Sequence, residues 1–258
     1  MKVAFLGLGA VGREVLRYLA ATETQVAVLG ALVAHPGQRR ECAAFVTLDE
    51  ILAAGPDLVV ECARQHVLED AGPRVLRSGT SLVVASVGAL ASEEAFERLR
   101  SAADAGAAQI FVPAGALAGI DALAAARHVG IESVRYTRRA PPSTWVRSGA
   151  MQESDARALD RAHVLFEGSA REAARRYPKN ANVTATIALA ALGFERTRVT
   201  LLADPAATSN VHVIEAEGAF GRLSTEVSAT PLAGSTSSRI VAGSLARAIL
   251  AHTGRIAV

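Results

Sequence analysis

The sequence predicts an α/β protein: a parallel sheet covered by helices on both faces, an α+β region after it, and a closing helix that returns to the first part. Three observations lead there. A strand, a glycine-rich turn and a helix with an apolar stripe open the chain. Short runs that are apolar on both faces then alternate with helical stretches. After about residue 110, prolines and glycines change the texture. With 258 residues, 50% of them hydrophobic and 20% charged, there is material for one large domain or two modest ones, and general disorder is excluded.

Taken in order, Lys2 to Leu6 is a strand, and Val11, Val15, Leu16 and Leu19 recur at helical spacing behind the glycines. Gln25 to Ala34, Asp57 to Cys62 and Ser81 to Val87 are strand-length apolar runs, with Asp49 to Ala54 and Ser92 to Ala105 as helices and Ser92 as a cap. A domain boundary falls near residue 110. Beyond it, Ser133 to Thr137, Arg198 to Ala203 and His212 to Ala216 read as strands, and Ala156 to Leu165 and Asn182 to Leu192 as helices. Residues 111–233 therefore predict a mixed sheet with helices on one side. Thr236 to His252 carries Ile240, Leu245, Ile249 and Leu250 at helical spacing, so residues 234–258 are expected to return to the domain formed by residues 1–110.

Several function classes drop out. No apolar run approaches the roughly 20 residues of a membrane span, and the start of the chain lacks the long apolar core of a secretory signal, so a cytoplasmic location is expected. The 27 Lys and Arg against 25 Asp and Glu leave a charge of +2 with arginines scattered along the chain, which argues against nucleic acid. Cys42 and Cys62 share no metal-ligand spacing with each other or with a histidine, so no metal site and no disulfide framework are expected.

Gly7-Leu8-Gly9-Ala10-Val11-Gly12 follows a strand and opens a helix, the context that gives this spacing meaning. Gly7 permits the tight turn, Gly9 lets the backbone approach a pyrophosphate, and Gly12 lets helix pack on strand. Together with the N–H groups of Ala10 and Val11 at the helix start, they predict a Rossmann-type dinucleotide site, with Cys62 beside the cofactor at the end of another strand. Between Glu23 and Glu41 there is no acidic residue to grip a ribose 2′-hydroxyl. Arg39 and Arg40 stand there instead and could pair with a 2′-phosphate, so either NADP or NAD is expected, with NADP accepted.

Oxidation of an alcohol or amine carbon by a nicotinamide also needs a proton acceptor, and a histidine serves near neutral pH. Of six histidines, His212 is the first choice, because it opens a strand beside Asn210. Tyr177-Pro178-Lys179-Asn180-Ala181-Asn182-Val183 adds a cation and two amides at a helix start, with Asn180 or Asn182 as its cap.

Those two blocks, with the glycine turn, Asp57 to Ala63, Ser86 to Leu90 and Pro113-Ala114-Gly115-Ala116-Leu117-Ala118-Gly119-Ile120-Asp121, resemble the L-aspartate dehydrogenase family through nearly the whole chain. The resemblance implies NAD(P)-dependent oxidative deamination of L-aspartate to iminosuccinate, which hydrolyses to oxaloacetate and ammonia, or the reverse. It implies a homodimer, with residues 111–233 as the substrate and dimerisation domain, and a place in pyridine nucleotide biosynthesis or aspartate catabolism. It also implies His212 as catalytic and Ala116 and Asn182 as cofactor contacts. Lys179, Arg138 and Arg139 are candidates to hold the two carboxylates. The alternatives are a related two-domain imine or amino-acid reductase and a non-catalytic NADP(H) sensor.

Overall fold

The computed structural model describes residues 1–22, 25–33, 41–232 and 237–253. They divide into two compact units, one of Met1–Gly115 with Pro231–Val258 and the other of Ala116–Thr230.

The first unit begins with β1 (Lys2–Leu6), α1 (Ala10–Ala20), β2 (Ala27–Leu32), β3 (Ala44–Phe45), α2 (Leu48–Ala53) and β4 (Leu58–Glu61). It continues with α3 (Gln65–Arg77), β5 (Ser81–Val84), a 3₁₀ turn over Val87–Ala91, α4 (Glu93–Gly106) and β6 (Ile110–Phe111). All its strand pairs are parallel, in the order β3-β2-β1-β4-β5-β6. Chain order reverses beside β1, between β2 and β4, and such a switch point leaves a crevice at the carboxyl ends of the strands. The central strands β1, β4 and β5 are buried on both faces, which is why they read as continuous apolar runs. Ser92 caps α4 as expected, its hydroxyl accepting from Ala95 N–H.

The second unit holds α5 (Ile120–Val129), β7 (Ile131–Ala140), α6 (Pro142–Ser148), α7 (Glu153–Ala158), β8 (His163–Ser169) and α8 (Ala170–Arg176). A 3₁₀ turn over Pro178–Asn180 leads to α9 (Ala181–Ala190), α10 (Gly193–Arg196), β9 (Thr197–Ala203), β10 (Asn210–Gly218) and β11 (Gly221–Ala229). Its sheet runs β11-β10-β7-β9-β8, with only β7 and β9 parallel. Val134, Tyr136, Val199, Leu201, Ile214 and Ala216 form the inner face of a core with Leu123, Trp145, Ala173 and Ile187 from the helices. Arg135, Arg198 and Arg222 lie exposed on the strands, where Arg135 and Arg222 reach Glu215.

The chain then re-enters the first unit as α11 (Arg239–Leu250), which buries Ala242, Leu245, Ala246 and Ile249 in one core with Val15, Leu16 and Leu19 of α1.

Two segments differ from expectation. The helix read over residues 156–165 stops at Ala158, and His163–Ser169 is strand β8, because antiparallel pairing places Phe166 against Leu201 and outweighs local helical spacing. Strand β11 was not anticipated, although Leu223, Thr225 and Val227 alternate with exposed Arg222, Ser224 and Glu226.

Gly106 closes α4 against α3, and a Cβ there would sit 1.9 Å from Leu76 O. Neither backbone can yield cheaply. Gly106→Ala is expected to cost about 2 kcal/mol and lower the first calorimetric unfolding transition by several degrees; an unchanged transition would contradict this close approach.

Candidate active site

Sequence dictates the glycine turn at the end of β1. Gly7 adopts φ +84°, and a Cβ there would lie 2.7 Å from the Cβ of Ala63. A Cβ on Gly12 would meet Gly7 O at 3.4 Å and the Cβ of Cys62 at 3.5 Å, so helix α1, the turn and the end of β4 close together. Gly9 is different, since a Cβ there meets nothing within 4 Å. Gly9 is also the N-cap of α1 and offers no side-chain acceptor, and the first intrahelical bond is Arg13 N to Gly9 O. The N–H groups of Ala10, Val11 and Gly12 therefore lack intrahelical carbonyls, beneath open space. Positive helix end, free donors and missing side chain fit a pyrophosphate. Arg39 and Arg40 lie outside the described residues.

Behind this turn is a carboxylate that the sequence reading passed over. Glu61, fully buried at the end of β4, accepts from Ala63 N–H at 2.7 Å, from Ser86 N–H at 2.7 Å and from the Ser86 hydroxyl at 2.8 Å. Burial pushes its pKa up and the Ser86 and Ala63 donors oppose that. The three bonds tie the carboxyl end of β4 to that of β5 beside the glycine turn.

The second unit presents His212 on the inner face of β10. Pairing with β7 sets His212 opposite Arg138 and Ile214 opposite Tyr136, so Tyr136 is the diagonal neighbour of the imidazole. Its hydroxyl lies 2.8 Å from His212 Nδ1, with the rings stacked at 6.1 Å. Nδ1 is thus engaged, and Nε2 is the ring nitrogen left for a reacting molecule. Burial, and then the Arg138 guanidinium, lower the His212 pKa from 6.5 to about 4, while burial raises that of the Tyr136 phenol. The imidazole is neutral at pH 7. Arg138 donates to Asn210 Oδ1 at 2.9 Å and lies over the Trp145 ring at 4.7 Å, and Trp145 is held by its Nε1 bond to Leu202 O.

Other candidates are placed less centrally. Ala116 is buried, two residues before Ala118, whose carbonyl accepts from the Thr225 hydroxyl of β11. Asn182 is exposed in the first turn of α9, its carbonyl accepting from Thr186. Of the two amides read as a cap, Asn180 holds the N-cap position of that helix, without a side-chain cap bond. Lys179 reaches Arg147 O at 3.4 Å, and Arg139 pairs with Asp204 at 3.6 Å.

Comparison with known proteins gives the family. The model described as "Aspartate dehydrogenase, C-terminal" matches residues 121–252, and "Homoserine dehydrogenase, NAD binding domain" matches residues 7–113. The chain is 44% identical to L-aspartate dehydrogenase 1 of Bordetella pertussis over 97% of its length and 95% of that protein's. It is 41% identical to L-aspartate dehydrogenase of Pseudomonas aeruginosa over the full length of both. The chain belongs to the L-aspartate dehydrogenase family. A solved aspartate dehydrogenase from Thermotoga maritima superposes with a TM-score of 0.79 at 26% identity, covering 99% of this chain and 98% of that one.

For a member of the L-aspartate dehydrogenase family the glycine turn and His212 were accessible to sequence reasoning, whereas Glu61 and Tyr136 were not. Both look like ordinary strand residues until the register is known. Among the described residues no cluster of three His, Cys, Asp or Glu could hold a metal, and no helix is long and apolar enough to cross a membrane.

The depressed His212 pKa has a consequence for stability. Below 6.5 the unfolded chain takes up a proton that the folded one refuses until about pH 4. Stability at this residue is therefore complete above 6.5 and is lost as pH falls toward 4, by on the order of 3 kcal/mol. In urea titrations the stability difference between wild type and His212→Asn is expected to shift by that amount over this window. A difference independent of pH would contradict the buried neutral imidazole.

Proposed function

We propose that the chain catalyses the NAD(P)-dependent oxidative deamination of L-aspartate and its reverse, with His212 as proton acceptor and donor. The observation that carries this is a buried neutral imidazole, fixed through Nδ1 by Tyr136, in a chain of the L-aspartate dehydrogenase family.

The nicotinamide supplies a two-electron hydride acceptor. As the Cα–H bond of aspartate breaks with its electron pair, the amine gives up a proton and the C=N bond of iminosuccinate forms. His212 Nε2 takes that proton, which requires Nδ1 to carry hydrogen and donate it to Tyr136 Oη. Water then adds to the imine, and the same imidazole steers its proton until oxaloacetate and ammonia separate. The orientation of this base by Tyr136 is set before the substrate arrives.

The unit of Met1–Gly115 and Pro231–Val258 is proposed to bind the dinucleotide. Gly7, Gly9, Ala10, Val11 and Gly12 receive the pyrophosphate, Cys62 lies beside them, and Glu61 keeps the strand ends in place. The open space over Gly9 supports this. Arg39 and Arg40 are assigned to a 2′-phosphate, so NADP is accepted alongside NAD. The unit of Ala116–Thr230 is assigned to substrate binding and dimerisation, with Ala116 and Asn182 as cofactor contacts, as the family resemblance implies. A homodimer in the cytoplasm completes the proposal.

Initial rates with L-aspartate and NAD or NADP, and with oxaloacetate, ammonia and NADPH, test it. Wild type is expected to turn over in both directions, and His212→Ala to lose roughly 100- to 10,000-fold in kcat with its cofactor affinity intact. Tight cofactor binding without turnover of aspartate or oxaloacetate would overturn the assignment. An active His212→Ala would overturn the role of the imidazole.

A further inference from the structure

Three cations were open as partners for the substrate carboxylates, and their surroundings separate them. Arg139 is engaged with Asp204 and half-exposed. Lys179 is exposed and reaches a backbone carbonyl of α6. Arg138 is neither. It sits opposite His212 on the same face of the sheet, largely buried, with burial lowering its pKa. One terminal nitrogen donates to Asn210, the guanidinium is supported by the Trp145 ring, and Nε is buried with no hydrogen-bond partner. No carboxylate among the described residues forms an ion pair with it; the titratable groups that interact with it are Tyr136 and His212.

A buried cation without an anion is a costly arrangement. It persists where a ligand brings the missing charge. A guanidinium is also the side chain whose planar fork matches a carboxylate in two parallel bonds. With one nitrogen fixed by Asn210 and the plane fixed by Trp145, the remaining donors keep a set direction beside the imidazole.

We propose that Arg138 anchors a carboxylate of the substrate next to His212, and so selects an acidic amino acid. This rests on the aspartate reading above. A consequence concerns the base itself. Tyr136 and Arg138, both on β7, are the titratable groups facing the imidazole, and Val227 is its neighbour on β11. A carboxylate on Arg138 offsets the one positive charge that disfavours protonation of His212, so the bound substrate makes its own base stronger.

The test pairs binding with turnover. Succinate carries both carboxylates and lacks the amine, so it binds without reacting. Calorimetric titration of succinate into the NADPH complex is expected to show a Kd that rises on the order of 10- to 100-fold in Arg138→Gln, with a smaller rise in Arg138→Lys. The KM for L-aspartate should rise in parallel and more than kcat falls, while NADPH affinity stays at the wild-type value. Added guanidinium ion should restore part of the turnover of Arg138→Ala, which a fault in folding would not allow. Succinate binding that is absent in wild type, or equally tight in Arg138→Gln, overturns the inference. If wild type binds succinate through Arg138 yet leaves aspartate unoxidised, the anchor stands and the aspartate reading fails. If wild type oxidises aspartate and Arg138→Gln keeps the same KM, the anchor fails alone.

Discussion

The antiparallel pairing of β10 with β7 is the constraint on which the surroundings of His212 in the second unit depend. Side chains alternate along a strand, so a slip of one residue would carry His212 from the packed face of the sheet to the face of exposed arginines. The observed register sets His212 opposite Arg138 and one step diagonal from Tyr136, and both contacts of the imidazole follow from that alone. Pairing with β11 on the other side of β10 and with β9 beyond β7 makes both strands internal to the sheet, which leaves no edge along which the register could drift. On that inner face the imidazole is buried.

A comparable economy holds the first unit. Parallel strands bring their carboxyl ends to one side, and chain order reverses beside β1, where the glycine turn lies. The turn is shaped by what it lacks. Side chains at Gly7 and Gly12 would meet Ala63, Cys62 and the backbone, whereas one at Gly9 would project into open space. Glu61 does for the neighbouring loops what a register does for strands, since one buried carboxylate bonded to Ala63 and Ser86 fixes two strand ends at once. Burial of an acid there is tolerable because all its bonds come from oriented donors.

Much of this was legible in the sequence where the signal is local. The glycine turn and its helix, the parallel runs, the Ser92 cap and the closing helix each declare themselves within a few residues. His212 stood out through its Asn-x-His setting and a family resemblance. What stayed hidden depends on pairing between distant segments: Tyr136 and Arg138 meet His212 across 74 to 76 positions of chain, and Glu61 meets Ser86 across 25. The same cause explains the misread stretch around His163, whose strand is created by its partner β9. Arg139 and Lys179 looked equivalent to Arg138 in sequence, and only burial and partners distinguish them.

The central claim is that His212 is a buried, neutral imidazole whose Nδ1 is committed to Tyr136. Side-chain nitrogen NMR of histidine-labelled protein, with His212 assigned through His212→Asn, observes this directly. The account predicts one fixed tautomer and a neutral ring that persists down to about pH 5, with the tautomer released in Tyr136→Phe. A ring that titrates near its ordinary 6.5 and averages between tautomers would contradict it.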